Sequence, residues 1–348
     1  MKLTVLLKVL VRLVPLIALG IVLRPLTFRP AAGSTLTKVL EGEWSVHLDE
    51  MLIAINGSVW WTGYTMETEL AQRIAITDTY LKVQGGRPMA LDREFCSISQ
   101  DLENSLGGGA GQHVWESVAW KSELEGAVVQ FRREEDAYTK RFHPLDRYLD
   151  DGLLDGLTED MDLRILLPKE PVTVGDEWDI DLASLPDLLS PGGYFAWTIE
   201  SEGTTRMLSD ALDPALMGEL RHVLGSMLEG RATVEYVAED DGHSQLDISI
   251  DIEGTKKVDD LLELVTEIVA ESPGWGTIEF ERFDLEFALK AAGTAQWDTQ
   301  RGHISSLALE GKVQSAMDLE IIWDAGSDFL IGVRTAVSGD FVQRFDTR

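Results

Sequence analysis

The amino-acid sequence predicts an α+β fold that is predominantly antiparallel β, with a long curved meander sheet covered by two amphipathic helices. Between Phe283 and Phe345 nearly all of the large apolar side chains occupy odd-numbered positions, and the positions between them are mostly charged, polar or small. A period of two is typical of a strand with one buried face. Turn chemistry at residues 299–302 and 324–327 divides this stretch into three antiparallel strands. Two further segments have the apolar spacing of amphipathic helices.

Residues 38–200 are predicted to form an N-terminal β-rich lobe. Asn56-Gly57 lies between two runs of alternating apolar residues, and this dipeptide is a strong signal for a β-hairpin. Alternation predicts further strands at 74–83, 89–98, 114–120 and 127–133. From Asp146 the sequence changes to short helix and acidic loop, where a solvated acidic face explains the carboxylates better than a calcium site, because EF-hand spacing is absent.

Residues 201–348 are predicted to form a C-terminal α+β lobe that ends in the long meander. The two amphipathic helices are expected within residues 208–228 and over residues 258–269. A change of parity predicts a β-bulge near Glu281-Arg282, and Gly311 is the expected bend point of its long strand.

Residues 1–33 are predicted to be a signal peptide or an N-terminal membrane anchor. Three basic residues precede an uncharged apolar run at residues 13–23, which is the secretory pattern. Cleavage after Gly33 would satisfy the small-residue rule, with Ala31 at the −3 position. A retained anchor stays open as the alternative. Either way we expect export to the periplasm or the cell envelope.

The charge and the cysteine count limit the classes of partner. The formal net charge is −30, and residues 1–30 hold five basic residues and no acidic one, so the rest of the chain carries −35. Such a body repels nucleic acid and anionic lipid, so we expect no nucleic-acid partner and membrane contact only through the N-terminal segment. Cys96 is the single cysteine, which excludes an intrachain disulfide and Cys-based metal sites.

One segment resembles a family of proteins. It reads Pro168-Lys169-Glu170-Pro171-Val172-Thr173-Val174-Gly175-Asp176-Glu177-Trp178. The pattern is similar to a segment of uncharacterised exported β-rich bacterial envelope proteins. Two other stretches are similar to the same proteins: Asp78-Thr79-Tyr80 through Gly86-Arg87-Pro88 to Arg93-Glu94-Phe95, and Trp297-Asp298 through Gly302 to Leu309-Glu310-Gly311. The resemblance implies export and β architecture, and it brings no catalytic residues.

The sequence contains no local signature of an enzyme. Its six histidines stand singly, with no HExxH or HxH pair, and GxSxG and SxxK are missing. We therefore predict no catalytic residues, no metal site and no cofactor. Three hypotheses remain: a non-catalytic envelope protein that binds an apolar or amphiphilic small molecule, a structural or interaction module with a filled core that meets a basic protein partner, and an enzyme built from scattered residues.

The carrier hypothesis requires a void between the sheet and the two helices. A void of several hundred cubic ångströms would favour a carrier, and a filled core would favour the module. The candidate cavity residues are apolar side chains of the helices and of the meander: Met217, Leu220, Leu224, Met227, Leu261, Val265, Met317, Trp297 and Trp323.

Overall fold

The structure is a computed structural model that describes residues 26–62, 65–107, 113–135, 137–146, 148–199, 228–257, 277–324 and 328–348. Within these ranges the chain forms one antiparallel sheet of fourteen strands. The strands are β1 (Thr35–Ile55), β2 (Ser58–Thr62), β3 (Thr65–Gln84), β4 (Arg87–Gly107), β5 (His113–Ser122), β6 (Val128–Glu134), β7 (Ala137–Phe142), β8 (Glu177–Asp179), β9 (Trp197–Ile199), β10 (Glu229–Asp240), β11 (His243–Lys257), β12 (Thr277–Asp298), β13 (His303–Asp324) and β14 (Asp328–Thr347).

The strand order is β7-β6-β4-β3-β1-β14-β13-β12-β11-β10-β8, with β2 beside β1, β5 beside β4 and β9 beside β5. The first strand therefore pairs with the last, and strands from both predicted lobes, 38–200 and 201–348, belong to the same sheet. The predicted three-strand meander is confirmed as β12, β13 and β14. The hairpin at Asn56-Gly57 and the bulge between Phe280 and Arg282 are also confirmed.

The prediction of two amphipathic helices covering the sheet is wrong. The described residues contain one sheet and a single α-helix, α1 (Leu185–Leu189), which is five residues long. Residues 208–227 and 258–269, which were expected to be helical, lie outside the described ranges. Among the described residues, the segment 148–197 covers much of the buried half of the sheet, and its Asp, Gly and Pro residues limit its helices to short turns. Besides α1 it contains three 3₁₀ helices: Asp151–Leu154, Arg164–Leu166 and Leu182–Ser184.

One face of the sheet, here the inner face, is divided into two halves. The proximal half lies toward the turns at residues 85–86, 241–242 and 299–302, and the distal half lies toward the hairpin at 56–57. A row of mainly apolar residues crosses nine strands at the boundary. This boundary row consists of Ala232, Ile250, Ala291, Gly311, Phe341, Trp44, Leu70, Leu102 and Val118, each paired with the next.

The proximal half of the inner face is sealed. Leu309 and Phe345 are each 1% exposed, while their neighbours Glu310 and Arg344 point to solvent, so the predicted parity holds here. The side chains that cover them come from segment 148–197 and belong to the same hydrophobic core: Leu154, Leu157, Met161, Leu163, Leu166, Leu185, Leu188 and Phe195.

The described residues contain no helix that is both long and apolar enough to cross a membrane. The apolar run at residues 13–23 lies outside the described ranges. The two readings of residues 1–33 therefore stay predictions.

Gly311 is expected to be intolerant of even one methyl group. A Cβ atom at this position would lie 2.5 Å from the Lys290 carbonyl oxygen and 2.7 Å from the Phe341 ring. We predict that Gly311→Ala lowers the free energy of unfolding by about 1–3 kcal/mol, because the backbone must move to relieve this overlap. Gly332→Ala is the matched control, since its Cβ would meet only the Ala54 methyl group at 3.9 Å. Urea unfolding of both variants checks the prediction, and equal stabilities would contradict it.

Candidate functional site

Five ionisable side chains meet in the sealed half of the inner face. Lys38 Nζ donates to Asp78 Oδ2 at 2.6 Å and to the Tyr80 hydroxyl at 2.7 Å, and it lies 2.6 Å from Asp162 Oδ1. Arg93 donates from Nε and Nη2 to the two oxygens of Asp78 at 2.8 and 3.0 Å. Tyr80 donates to Asp162 Oδ1 at 2.5 Å. We refer to these five residues as the ion cluster.

The sheet register brings the ion cluster together. Asp78 on β3 is directly opposite Arg93 on β4, and Lys38 lies on the neighbouring strand β1. Each stands at an inner-face position that the alternation would otherwise give to an apolar residue. Asp162 arrives from segment 148–197, where the sequence predicted a solvated acidic face, yet it is only 2% exposed.

The charges of the ion cluster balance, with two cations and two carboxylates. Burial alone would raise the pKa of Asp78, but Arg93 and Lys38 together outweigh it and hold that pKa below its ordinary value. Burial raises the pKa of Asp162, and Lys38 only partly opposes this effect. Burial, together with the charges of Asp162 and Asp78, raises the pKa of Tyr80 well above its ordinary value, so the phenol stays a hydrogen-bond donor.

The ion cluster acts as a clamp and has no access for a substrate. Arg93 also donates to the backbone carbonyls of Thr158 and Glu159, at 2.9 and 2.7 Å, and so attaches the covering segment to the sheet. Both Asp78 and Arg93 are completely buried. A general acid or base must reach its substrate within hydrogen-bond distance, which this enclosure prevents.

The distal half of the inner face is more exposed to solvent than the proximal half. Its large apolar side chains are neither buried nor fully exposed: Phe283, Leu285, Phe287, Val313, Met317, Leu319, Ile321, Ile331, Val333 and Val337, together with Val46, Leu48, Met51 and Ile53 of β1. We refer to this set as the distal apolar face. These residues continue the strands whose proximal residues are sealed, so the same pattern of alternation gives a closed half and an open half.

A β-bulge in β1 places the apolar side chains of this strand on the same face as those of β14. Leu48 pairs with Val337, but after Asp49 the register shifts so that Glu50 pairs with Ala336 and Met51 with Thr335. The inward positions of β1 therefore change from even to odd numbers. Because of this shift, Ile53 lies opposite Val333 on the same face.

The outer face of the distal half is polar. Arg334 donates to Asp318 Oδ2 at 2.7 Å, and Arg282 pairs with Asp284 and lies 3.5 Å from Asp318. These residues occupy the positions between the apolar ones, as the predicted parity requires. The distal half thus has one face with ion pairs and one apolar face, and side chains such as Asp318 and Met317 on these two faces are partly exposed.

Shallow grooves also cross the outer face. One of about 480 Å³ is lined by residues of four strands, which include both carboxylate-bearing and apolar side chains: Glu43, Glu69, Asp101, Glu103 and Asp340, and Trp44, Leu70, Ala71, Phe341 and Val342. Another of about 460 Å³ contains His143, Asp92, Glu94 and Asp146. Across the described ranges, no group of three or more His, Cys, Asp or Glu side chains is arranged to hold a metal ion.

The predicted cavity residues fall into four groups. Met317 lies on the distal apolar face, whereas Trp297 is 1% exposed in the sealed core. Trp323 pairs with Ile278 and Phe329, and its side chain is not described. The remaining six lie outside the described ranges: Met217, Leu220, Leu224, Met227, Leu261 and Val265.

The sequence analysis missed the ion cluster and the β1 contribution to the distal apolar face. A signal for the cluster existed, because Lys38 lies between Leu36 and Leu40 at an inward position of its strand. The β1 contribution had no such signal, since the parity change at Asp49 hides it.

Comparisons with known proteins add little to this picture. No protein-family model matches the chain, and no curated protein sequence does. Among solved structures, the chain is similar to the crystal structure of a Pseudomonas aeruginosa FadL homologue at 6% identity, over 90% of this chain and 89% of that chain, with a TM-score of 0.11. A TM-score this low does not establish a shared fold.

Removal of one carboxylate from the ion cluster should destabilise the protein strongly. Asp78→Asn leaves Lys38 and Arg93 with only the Asp162 charge, and breaking a buried ion pair costs about 3–5 kcal/mol. Asp251→Asn is the matched control, because Asp251 also pairs with a lysine, Lys290, at 3.0 Å but is 68% exposed. Chemical unfolding should show a large loss for Asp78→Asn and little change for the control. Similar losses would mean that the cluster does not clamp the fold.

The stabilisation of the folded state by Asp78 should decrease as the pH falls. Its pKa is lowered in the folded state, so its contribution is complete above the unfolded-state pKa of about 4 and is lost as the pH falls through the folded-state value. The difference in unfolding free energy between the wild type and Asp78→Asn should therefore become smaller as the pH is lowered from about 5 to about 3, on either side of the unfolded-state pKa. A difference that widens over this interval would contradict the assigned direction of the pKa shift.

Proposed function

We propose that this protein is a non-catalytic envelope protein that binds an apolar or amphiphilic molecule on the distal apolar face. The main observation in support of this proposal is that the exposure of inner-face apolar side chains changes along single strands. On β13, Leu309 is fully buried, whereas Met317 and Leu319 on the same face remain partly exposed. A sheet that seals half of a face and leaves the other half open offers a binding surface of defined extent.

The energetics favour an apolar ligand. Full burial of a large apolar side chain contributes roughly 1.5–3 kcal/mol relative to exposure, so covering several half-exposed ones gives a substantial gain. The charged outer face, with the Arg334 and Asp318 pair, keeps the same strands soluble. An amphiphilic ligand would bind with its apolar chain on the distal apolar face and its polar group toward water.

Binding is proposed rather than catalysis because of where the ionisable groups lie. The described residues bring together buried ionisable side chains with shifted pKa values chiefly in the ion cluster, which is enclosed. The location in the envelope is part of the proposal and is supported by the basic and apolar pattern of residues 1–33.

A second candidate function is a module that binds a basic protein. It is favoured by the outer-face groove, where Glu43, Glu69, Asp101, Glu103 and Asp340 line one trough. Native mass spectrometry of protein purified from an envelope fraction separates the two candidates. Co-purified lipid supports the first, and a bound basic polypeptide supports the second.

A charge placed on the distal apolar face should abolish most of the ligand affinity. Met317→Glu puts a carboxylate on this face, and we predict that it weakens binding of the neutral dye Nile red about tenfold or more, because the ligand would bury an unpaired charge. Gln314→Glu is the matched control, since it adds the same charge on the same strand at an exposed position. Fluorescence titration should show the control within about twofold of the wild type. Equal weakening by both variants, or by neither, would count against binding on this face.

A further inference from the structure

Residues 26–33 precede β1 and form a strap across the proximal end of the sheet. Leu26 is 3% exposed and Phe28 is 1% exposed, whereas Thr27 and Arg29 between and after them face solvent. The Phe28 ring meets the Tyr80 ring edge-on at 5.6 Å between centroids, and the Arg164 guanidinium lies 5.7 Å from the Phe28 centroid. The strap therefore packs directly on the ion cluster.

Backbone hydrogen bonds hold the strap at its middle and at its C-terminal end. The Arg29 amide donates to the Gly302 carbonyl at 2.9 Å, and the Gly33 amide donates to the Tyr80 carbonyl at 2.6 Å. The Arg29 side chain also donates from Nη2 to the Thr299 carbonyl at 2.8 Å. These contacts join the strap to β3 and to the turn between β12 and β13.

The turn between β12 and β13 is shaped to receive the strap. Gly302 has φ +71°, and a Cβ atom there would lie 2.3 Å from Arg29 Cγ and 3.2 Å from the Thr27 carbonyl oxygen. Glycine thus permits both the left-handed turn and the close approach of the strap. Such a fit is typical of a segment that belongs to the folded protein.

We infer that residues 26–33 remain in the mature protein and that the chain is not cut after Gly33. The sequence alone left cleavage after Gly33 and a retained anchor as alternatives. A cut there would remove Leu26 and Phe28 from the core and expose the Tyr80 side of the ion cluster. Any processing of the N-terminal leader therefore lies upstream of Leu26.

This inference also fixes how the folded body is connected to the apolar run. Only Arg24 and Pro25 separate residue 23 from Leu26. Fully extended residues span at most about 3.6 Å each, so a retained run would lie within roughly 10 Å of the strap.

The inference is tested on the mature N-terminus. The full-length chain with a C-terminal tag is produced in a bacterial host, and the folded protein from the membrane and soluble fractions is analysed by intact mass and N-terminal sequencing. We expect every folded species to begin at or before Leu26. A folded species that begins at Ser34 would overturn the inference.

A pair of variants tests the strap without reference to processing. Phe28→Ala should lower the melting temperature by roughly 5 °C or more, since a buried aromatic side chain is lost from the core. Thr27→Ala, the neighbouring exposed position, should melt within about 2 °C of the wild type. If Phe28→Ala does not fold, the milder Phe28→Leu should still melt below Thr27→Ala. Equal melting of Phe28→Leu and Thr27→Ala would overturn the inference, and neither result depends on ligand binding.

Discussion

The register of the central strands is the constraint on which the rest of this structure depends. In an antiparallel sheet a slip by one residue turns every side chain to the opposite face. Here a slip of β4 by one residue against β3 would turn Arg93 to the outer face together with Leu91 and Phe95, and it would leave Asp78 buried without this partner. The same register aligns the boundary row across nine strands, so it decides both where the core closes and where the distal apolar face begins.

The ion cluster gives that register an energetic preference that apolar packing alone does not supply. Apolar side chains such as Ile74, Ile76 and Leu91 can be exchanged with little loss when their volume is conserved, whereas a buried charge without its partner is strongly unfavourable. Because Arg93 also binds the carbonyls of Thr158 and Glu159, one set of contacts fixes both the sheet alignment and the position of the covering segment. The ion cluster, which specifies the register, and the apolar core, which stabilises the fold, thus lie in the same half of the molecule.

Much of the sheet was predictable from the sequence, and the reasons for the exceptions are physical. Alternation from Phe283 to Phe345 correctly predicted the meander, because one face is apolar and the period is unambiguous. The neighbours β1 and β14 are almost 300 positions apart, and no local pattern reports such a pairing. The helical spacing in residues 208–228 and 258–269 led to the wrong fold class, since it says nothing about which segment covers the sheet. Lys38, Asp78 and Arg93 were detectable as charges at inward positions, whereas Asp162 was one carboxylate among many in an acidic loop.

The pairing of β1 with β14 has a consequence for the order in which the protein can be assembled. β1 is synthesised long before β14, its partner on one side. Contacts between such distant parts of a chain form slowly, and a strand edge that waits for its partner can pair with other chains. A nascent molecule of this protein would keep that edge unpaired until β14 has been synthesised, so its dependence on holding chaperones should be greatest before residues 328–347 emerge.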